Sequence, residues 1–324
     1  MSNLSEQFAA SKLEHFPVTF FAMIMGMTGL ALVWEKASIV FGAPAIVGHL
    51  LLTLTACLFV ILAVVYLLKI ILRKSAVLEE FQHPIKLSFF PAFSISMILL
   101  SIATLTLSER LSFILWSVGT ALHLMLTVYV LNQWIHHVKF QVTHMTPSWF
   151  IPVVGNILVP IAGVEHGYTE LSWFFFSIGI VYWIVLKTLV LNRMMFHDPM
   201  PEKLLPTMFI LIAPPAVGFI SYIKLTGTLD SFARILFYSA MFLLLLLLSQ
   251  VPRFSRIKFF MSWWAYSFPL AASAIAAQLM YINLGQPFYY YLALGLLSLA
   301  TVVIALLFFR TLQAVIRNEI CLPE

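Results

Sequence analysis

Charge is what this sequence has least of. Of 324 residues, 10% are Asp, Glu, Lys or Arg and 62% are apolar. An ordinary soluble domain carries about 25% charged residues. A water-soluble globule of this size cannot cover itself with so few charges. That excludes a soluble enzyme, a nucleic-acid-binding module and a disordered chain. Cysteine is nearly missing too. Cys57 lies inside an apolar run and Cys321 near the C-terminus, so the two make no disulfide framework and read as free thiols. The alternation of polar and apolar residues that marks a membrane β-barrel is also lacking; residues 241–248 are apolar on every side. The chain reads as an all-α membrane protein.

A spanning helix needs about 20 mostly apolar residues. Ten stretches qualify: 17–36, 44–68, 87–107, 111–135, 148–164, 169–191, 204–223, 231–251, 259–282 and 288–309. Turn or charge signals separate them, among them Gly42 with Pro44, His83 with Pro84, Glu109 with Arg110, and Gly285 with Pro287. The fifth stretch is the shortest and holds Pro152, Asn156 and Pro160. Residues 1–16 are polar and read as a cytoplasmic lead, not a cleavable leader. Residues 17–309 form one ten-span unit and 310–324 a cytoplasmic tail. Ten crossings place 14 of the 18 Lys and Arg on one side, leaving Lys36, Arg110, Lys224 and Arg234 on the other. Basic residues favour the cytoplasmic side, so both termini are expected there, in a plasma (inner) membrane.

Interior prolines fall only in odd spans: Pro91, Pro152 with Pro160, Pro214 with Pro215, and Pro269. Gly26 and Gly29 stand at the comparable depth of span 1. Gly26, Pro91, Pro152, Pro214 and Pro269 are separated by 65, 61, 62 and 55 residues, a five-fold repeat of a helical hairpin. Proline removes one N–H and frees the carbonyl four residues back. In hydrocarbon that carbonyl is tolerated only where helices pack around it or a wet cavity passes it. The expected object is five breakable helices around a central pathway, inside an outer ring of five regular ones.

None of the thirteen Asp and Glu falls in the middle of a span, and no Lys or Arg sits centrally. Cation pathways and proton relays are usually marked by intramembrane carboxylates. A cation channel, a cation-coupled pump and a proton antiporter are therefore disfavoured, while an anion or a neutral solute is permitted. No Asp-rich Mg²⁺ site and no His–Glu–x–x–His is present, so no enzyme activity, metal or cofactor is expected. His136, His137 and His144 read as a solvated cluster, and His123 as a hydrogen-bonded packing histidine.

Residues 259–270 of span 9 read FFMSWWAYSFPL. Phe268, beside Pro269, is either a core aromatic or a plug that closes a narrow pathway by bulk and dewetting. The run from Trp264 to Pro269 resembles the ninth-helix motif of the tellurite-resistance/dicarboxylate transporter family, which includes the plant guard-cell slow anion channels. The stretch from His15 to Phe21 followed by Gly26, the run Phe89–Phe90–Pro91, and the ten-span layout are similar as well. The resemblance implies a quasi-five-fold helical barrel whose odd helices line a pore, assembled as a homotrimer with one pore per protomer. It implies Phe268 as the gate, with Ala22, Gly26, Pro91, Pro152, Pro214 and Pro269 as pore-lining or kink positions. Bacterial members carry Gly-x-Pro in span 1 where this chain has Ala22, Met23 and Ile24. The function so implied is passage of small monovalent anions such as chloride or nitrate. A carrier for dicarboxylate, sulfite or tellurite is the alternative, and a membrane enzyme ranks last.

Overall fold

A computed structural model describes residues 12–322. Among these residues, nine helices are long and apolar enough to cross a membrane. They are Val18–Phe41 (span 1), Ala45–Leu72 (2), Lys86–Thr104 (3), Glu109–His136 (4), Thr169–Phe196 (6), Glu202–Thr226 (7), Ser231–Leu248 (8), Met261–Leu284 (9) and Pro287–Ile316 (10). The shorter apolar helix Pro147–Gly163 takes the fifth position. Part of it is wound as 3₁₀-helix, over Pro147–Trp149 and Gly155–Leu158. A 3₁₀ residue rises about 2.0 Å and an α residue about 1.5 Å, so this segment reaches roughly 29 Å, near the hydrocarbon thickness of about 30 Å. The tighter winding lets a short span cross.

The odd spans share one construction. Each opens with 3₁₀-helix and continues as α-helix: Val18–Phe20 into Phe21–Phe41, Lys86–Phe89 into Pro91–Thr104, Glu202–Ile212 into Ala213–Thr226, and Met261–Tyr266 into Ser267–Leu284. Span 5 alternates between the two forms twice. The even spans are unbroken α-helix. Sequence reading expects the prolines to kink helix interiors. The structure instead places Pro91, Pro214 and Pro269 in the first turn of the α-helical half. A first-turn proline costs no α-helical hydrogen bond. The helix changes pitch there instead of bending around a missing bond. Pro152 lies within the α segment Phe150–Val154.

Packing closes a ring. Span 1 packs on span 3, 3 on 5, 5 on 7, 7 on 9, and 9 back on 1. Each even span packs on the odd span before it and the odd span after it, and span 10 reaches span 1. In the most apolar 18-residue stretch, 67–78% of residues are buried in spans 1, 3, 7 and 9, against 22–39% in the even spans. The odd spans are thus the inner ring, and exposed residues such as Ile61, Phe242 and Phe309 on even spans face lipid.

Side chains from neighbouring helices satisfy carbonyls of the broken spans. The Thr127 hydroxyl donates to the Pro152 carbonyl at 2.6 Å, and the Trp116 indole N–H to the Val159 carbonyl at 3.0 Å. The Ser221 and Ser96 hydroxyls donate to the carbonyls of Ile157 and Phe21. Spans 1 and 9 touch at Gly26, where a methyl group would overlap the Ser267 hydroxyl.

Lys12 donates to the Asn318 side chain, so both described ends lie on one face, here the terminal face. The odd spans all begin there and end at the opposite, far face. The short helix Lys74–Gln82 between spans 2 and 3 has no counterpart in the sequence reading, and the last helix runs on to Ile316. Most of the 1–16 lead and the last two residues of the tail lie outside the described residues.

Candidate permeation pathway

The N-terminal halves of the five odd spans enclose a cavity of about 780 Å³ that opens at the terminal face. Its deepest lining residues are one from each inner helix: Met25, Ile95, Leu158, Val217 and Phe268 with its neighbour Pro269. Little beyond them lines the cavity, so these five side chains form its floor. Phe268 is partly buried and packs on the core. Opposite it, a methyl group on Gly29 would sit 3.4 Å from the ring edge. No ring–ring pair involves Phe268 among the described residues.

Of the seven positions named from sequence, Ala22, Pro214, Phe268 and Pro269 line the cavity. Gly26, Pro91 and Pro152 are buried between helices instead. Ala22 is partly buried and contributes to the cavity wall. Sequence reading missed Met25, Ile95, Leu158 and Val217. Met25 was legible in principle, since it follows Ala22 by three residues and so shares its helix face.

The cavity is apolar in depth and of mixed charge at its mouth. Glu14, Glu79, Glu80 and Glu319 share the rim with Lys69, Lys86 and Lys203. Lys69 and Glu80 form an ion pair at 2.9 Å, only 3% and 6% exposed. Glu80 also accepts from the Tyr66 hydroxyl at 3.0 Å and the Val18 N–H at 2.8 Å, while Lys69 donates to the Phe16 carbonyl at 2.8 Å. The sequence assigns Lys69 only to orientation. In the structure it ties spans 1 and 2 and the Lys74–Gln82 helix together at the rim. Ile320, Cys321 and Leu322 cover part of the mouth. Burial pushes the Cys321 thiol up, against Lys12 and Lys69, which pull it down.

Behind the floor, His123 is wholly buried, with Nδ1 2.9 Å from the Ser94 hydroxyl. It fits the packing role read from sequence. A methyl on Gly155 would come within 2.7 Å of His123 Nε2, so glycine lets span 5 pass that close. His136 and His137 are exposed, and His144 Nδ1 accepts from the Gln141 N–H at 3.2 Å. No group of three His, Cys, Asp or Glu among the described residues is arranged to hold a metal ion.

Comparison with known proteins places this architecture in context. Residues 15–312 match the SLAC1 family, described as voltage-dependent anion channel. The S-type anion channel SLAH2 of Arabidopsis thaliana is 30% identical over 271 residues, 82% of this chain and 52% of that protein. The guard cell S-type anion channel SLAC1 of the same plant is 25% identical over 312 residues, 93% of this chain and 56% of that protein. The tellurite resistance protein TehA homolog of Haemophilus influenzae is 24% identical over 267 residues, 82% of this chain and 81% of that protein. The chain spans about half the length of these plant relatives.

The rim pair generates a stability prediction. Glu80→Gln leaves the Lys69 ammonium buried without its counter-charge, and unfolding free energy in detergent is expected to fall by about 3–5 kcal/mol. Lys69→Met combined with Glu80→Gln removes both charges and is expected to recover most of that loss. Thermal unfolding of both variants beside wild type is the measurement; a Glu80→Gln protein as stable as wild type would mean the pair is solvated.

Proposed function

We propose that this chain, which belongs to the SLAC1 family of voltage-dependent anion channels, is itself a channel for small monovalent anions such as chloride and nitrate, closed by Phe268. The observation that carries the reading is the cavity floor: one side chain from each inner helix, all apolar, with Phe268 the largest. An uncharged constriction favours ions that shed water readily and passes no ion while the ring fills it.

The inner helices supply the sign. All five odd spans point the same way, N-terminus at the terminal face, and a helix carries roughly half a positive charge at that end. Their fields add around the cavity. The antiparallel outer helices oppose this field from farther away. An anion entering the cavity is thus stabilised without a fixed cation at the floor, where none is present among the described residues. A carrier for an oxyanion or dicarboxylate is the second reading, favoured by the likeness to the TehA homolog. It has no Arg or Lys clamp at the floor to grip a dicarboxylate.

The testing experiment is chloride and nitrate flux through planar bilayers or liposomes, wild type beside Phe268→Ala. Removing the ring is expected to raise flux about tenfold or more, since each 1.4 kcal/mol or so taken off the barrier is a factor of ten. Unchanged flux from a folded variant would sink the gate assignment. Saturable exchange without single-channel steps would favour the carrier.

Assembly and orientation belong to the same reading. The homotrimer implied by the resemblance is expected to give a detergent-corrected mass of three protomers, and a monomer mass would count against it. With both termini in the cytoplasm of a plasma membrane, a membrane-impermeant maleimide is expected to label Cys321 only after permeabilisation. Cys57 is exposed on lipid-facing span 2 and Cys57→Ser serves as background. Thiolate is the reactive form and burial raises this thiol, so labelling is expected to quicken as pH rises through the alkaline range. Labelling of intact cells would reverse the orientation.

A further inference from the structure

The far face poses an electrostatic problem for an anion. The five inner helices end there, and each C-terminus carries roughly half a negative charge. An anion leaving or entering at that face meets a ring of carbonyl ends. Glycines in left-handed conformation close three of these helices or their far-face turns, Gly42, Gly227 and Gly285 at φ 65–67°, so no side chain sits at those cap positions.

Two lysines stand against this field. On span 1 the cavity-lining residues Ala22 and Met25 are continued, at alternating steps of four and three, by Gly29, Leu32 and Lys36. That spacing keeps one helix face, so Lys36 caps the stripe that faces the passage. On span 7 Lys224 follows the lining residue Val217 by two helical turns, which keeps it on the same side of the helix. Spans 1 and 7 are not neighbours in the ring, yet the two ammonium groups lie close enough to repel each other.

The two differ in their partners. Lys224 is ion-paired with Glu165 at the end of span 5. Lys36 feels the adjacent Glu35 electrostatically, but that carboxylate accepts a hydrogen bond from the Thr106 hydroxyl at 3.1 Å. No carboxylate among the described residues is in ion-pair contact with Lys36, and the side chain is partly buried. A half-buried ammonium without a contact counter-charge, at a mouth lined by helix C-termini, is a place for an anion.

We propose that Lys36 forms a binding site for a small inorganic anion at the far mouth, with Lys224 as its more distant support. The site deepens the channel reading and rests on it: it concentrates the permeant ion where the helix ends would repel it. Chloride flux entering from the far face is expected to fall about 3- to 10-fold in Lys36→Gln at low ionic strength. The deficit is expected to shrink near 1 M salt, where the screening length is about 3 Å. Lys36→Arg keeps the charge and is expected to restore the flux. Equal flux and equal salt dependence in Lys36→Gln and wild type would overturn the role in permeation.

A binding measurement separates this proposal from the channel reading. Broadening of the chloride-35 resonance by purified wild-type protein is expected to be largely lost in Lys36→Gln and kept in Lys36→Arg. Equal broadening in all three overturns the site whether or not the protein conducts. Absence of flux in every variant, with broadening that depends on Lys36, overturns the channel reading and leaves the site standing.

Discussion

A helix that changes its winding inside a membrane leaves carbonyl groups that lipid cannot satisfy, and each must find a donor within the protein or face a wet cavity. This requirement organises the structure. The broken odd spans cannot face lipid, so they gather at the centre. The unbroken even spans surround them and supply part of what they need, through Thr127 and Trp116. The remaining donors, Ser96 and Ser221, pass from one inner helix to the next. The double ring is thus less a matter of greasy surfaces meeting than of hydrogen bonds being closed. Small residues such as Gly26 let the inner helices come near enough for it.

From the same arrangement comes the chemistry of the passage. Breakable spans occupy the odd positions of a hairpin repeat, so they all run in one direction. Parallel helices add their dipoles. A protein with no charge at its centre therefore acquires a polar axis, positive towards the face that holds both described ends. In the proposed channel the apolar floor would set how much water an ion must lose, and the axis which sign of ion finds the loss bearable. Charged side chains are left to the rims, where Lys69 and Glu80 brace the structure.

Much of this was legible in the sequence because membrane folding depends on coarse features. Ten apolar runs, prolines restricted to odd runs, and acids kept out of the bilayer are visible without coordinates, and they yield the double ring; Phe268 was singled out by the resemblance of its motif. What escaped depends on local winding. Proline marks a break but does not say that 3₁₀-helix precedes it, so Pro91 looked like a kink when it begins an α-helix. Pro152 and Gly26 shared the signature of lining residues but turn to neighbouring helices. Met25, Ile95, Leu158 and Val217 escaped because an apolar residue facing a pathway is spelled like one facing a core. Lys69 escaped because basic residues near span ends serve orientation by default, and only the approach of Glu80 shows a second role.

The ring also closes where the chain does not. Span 10 leans on span 1 as span 2 leans on span 3, and Lys12 reaches Asn318 across the join. Each of the other joins between hairpins carries a covalent connector; this one is made by packing and side chains alone. The described residues therefore begin and end at one of five similar seams. A seam held without a connector shows that packing between hairpins, more than the covalent link, is what closes the ring.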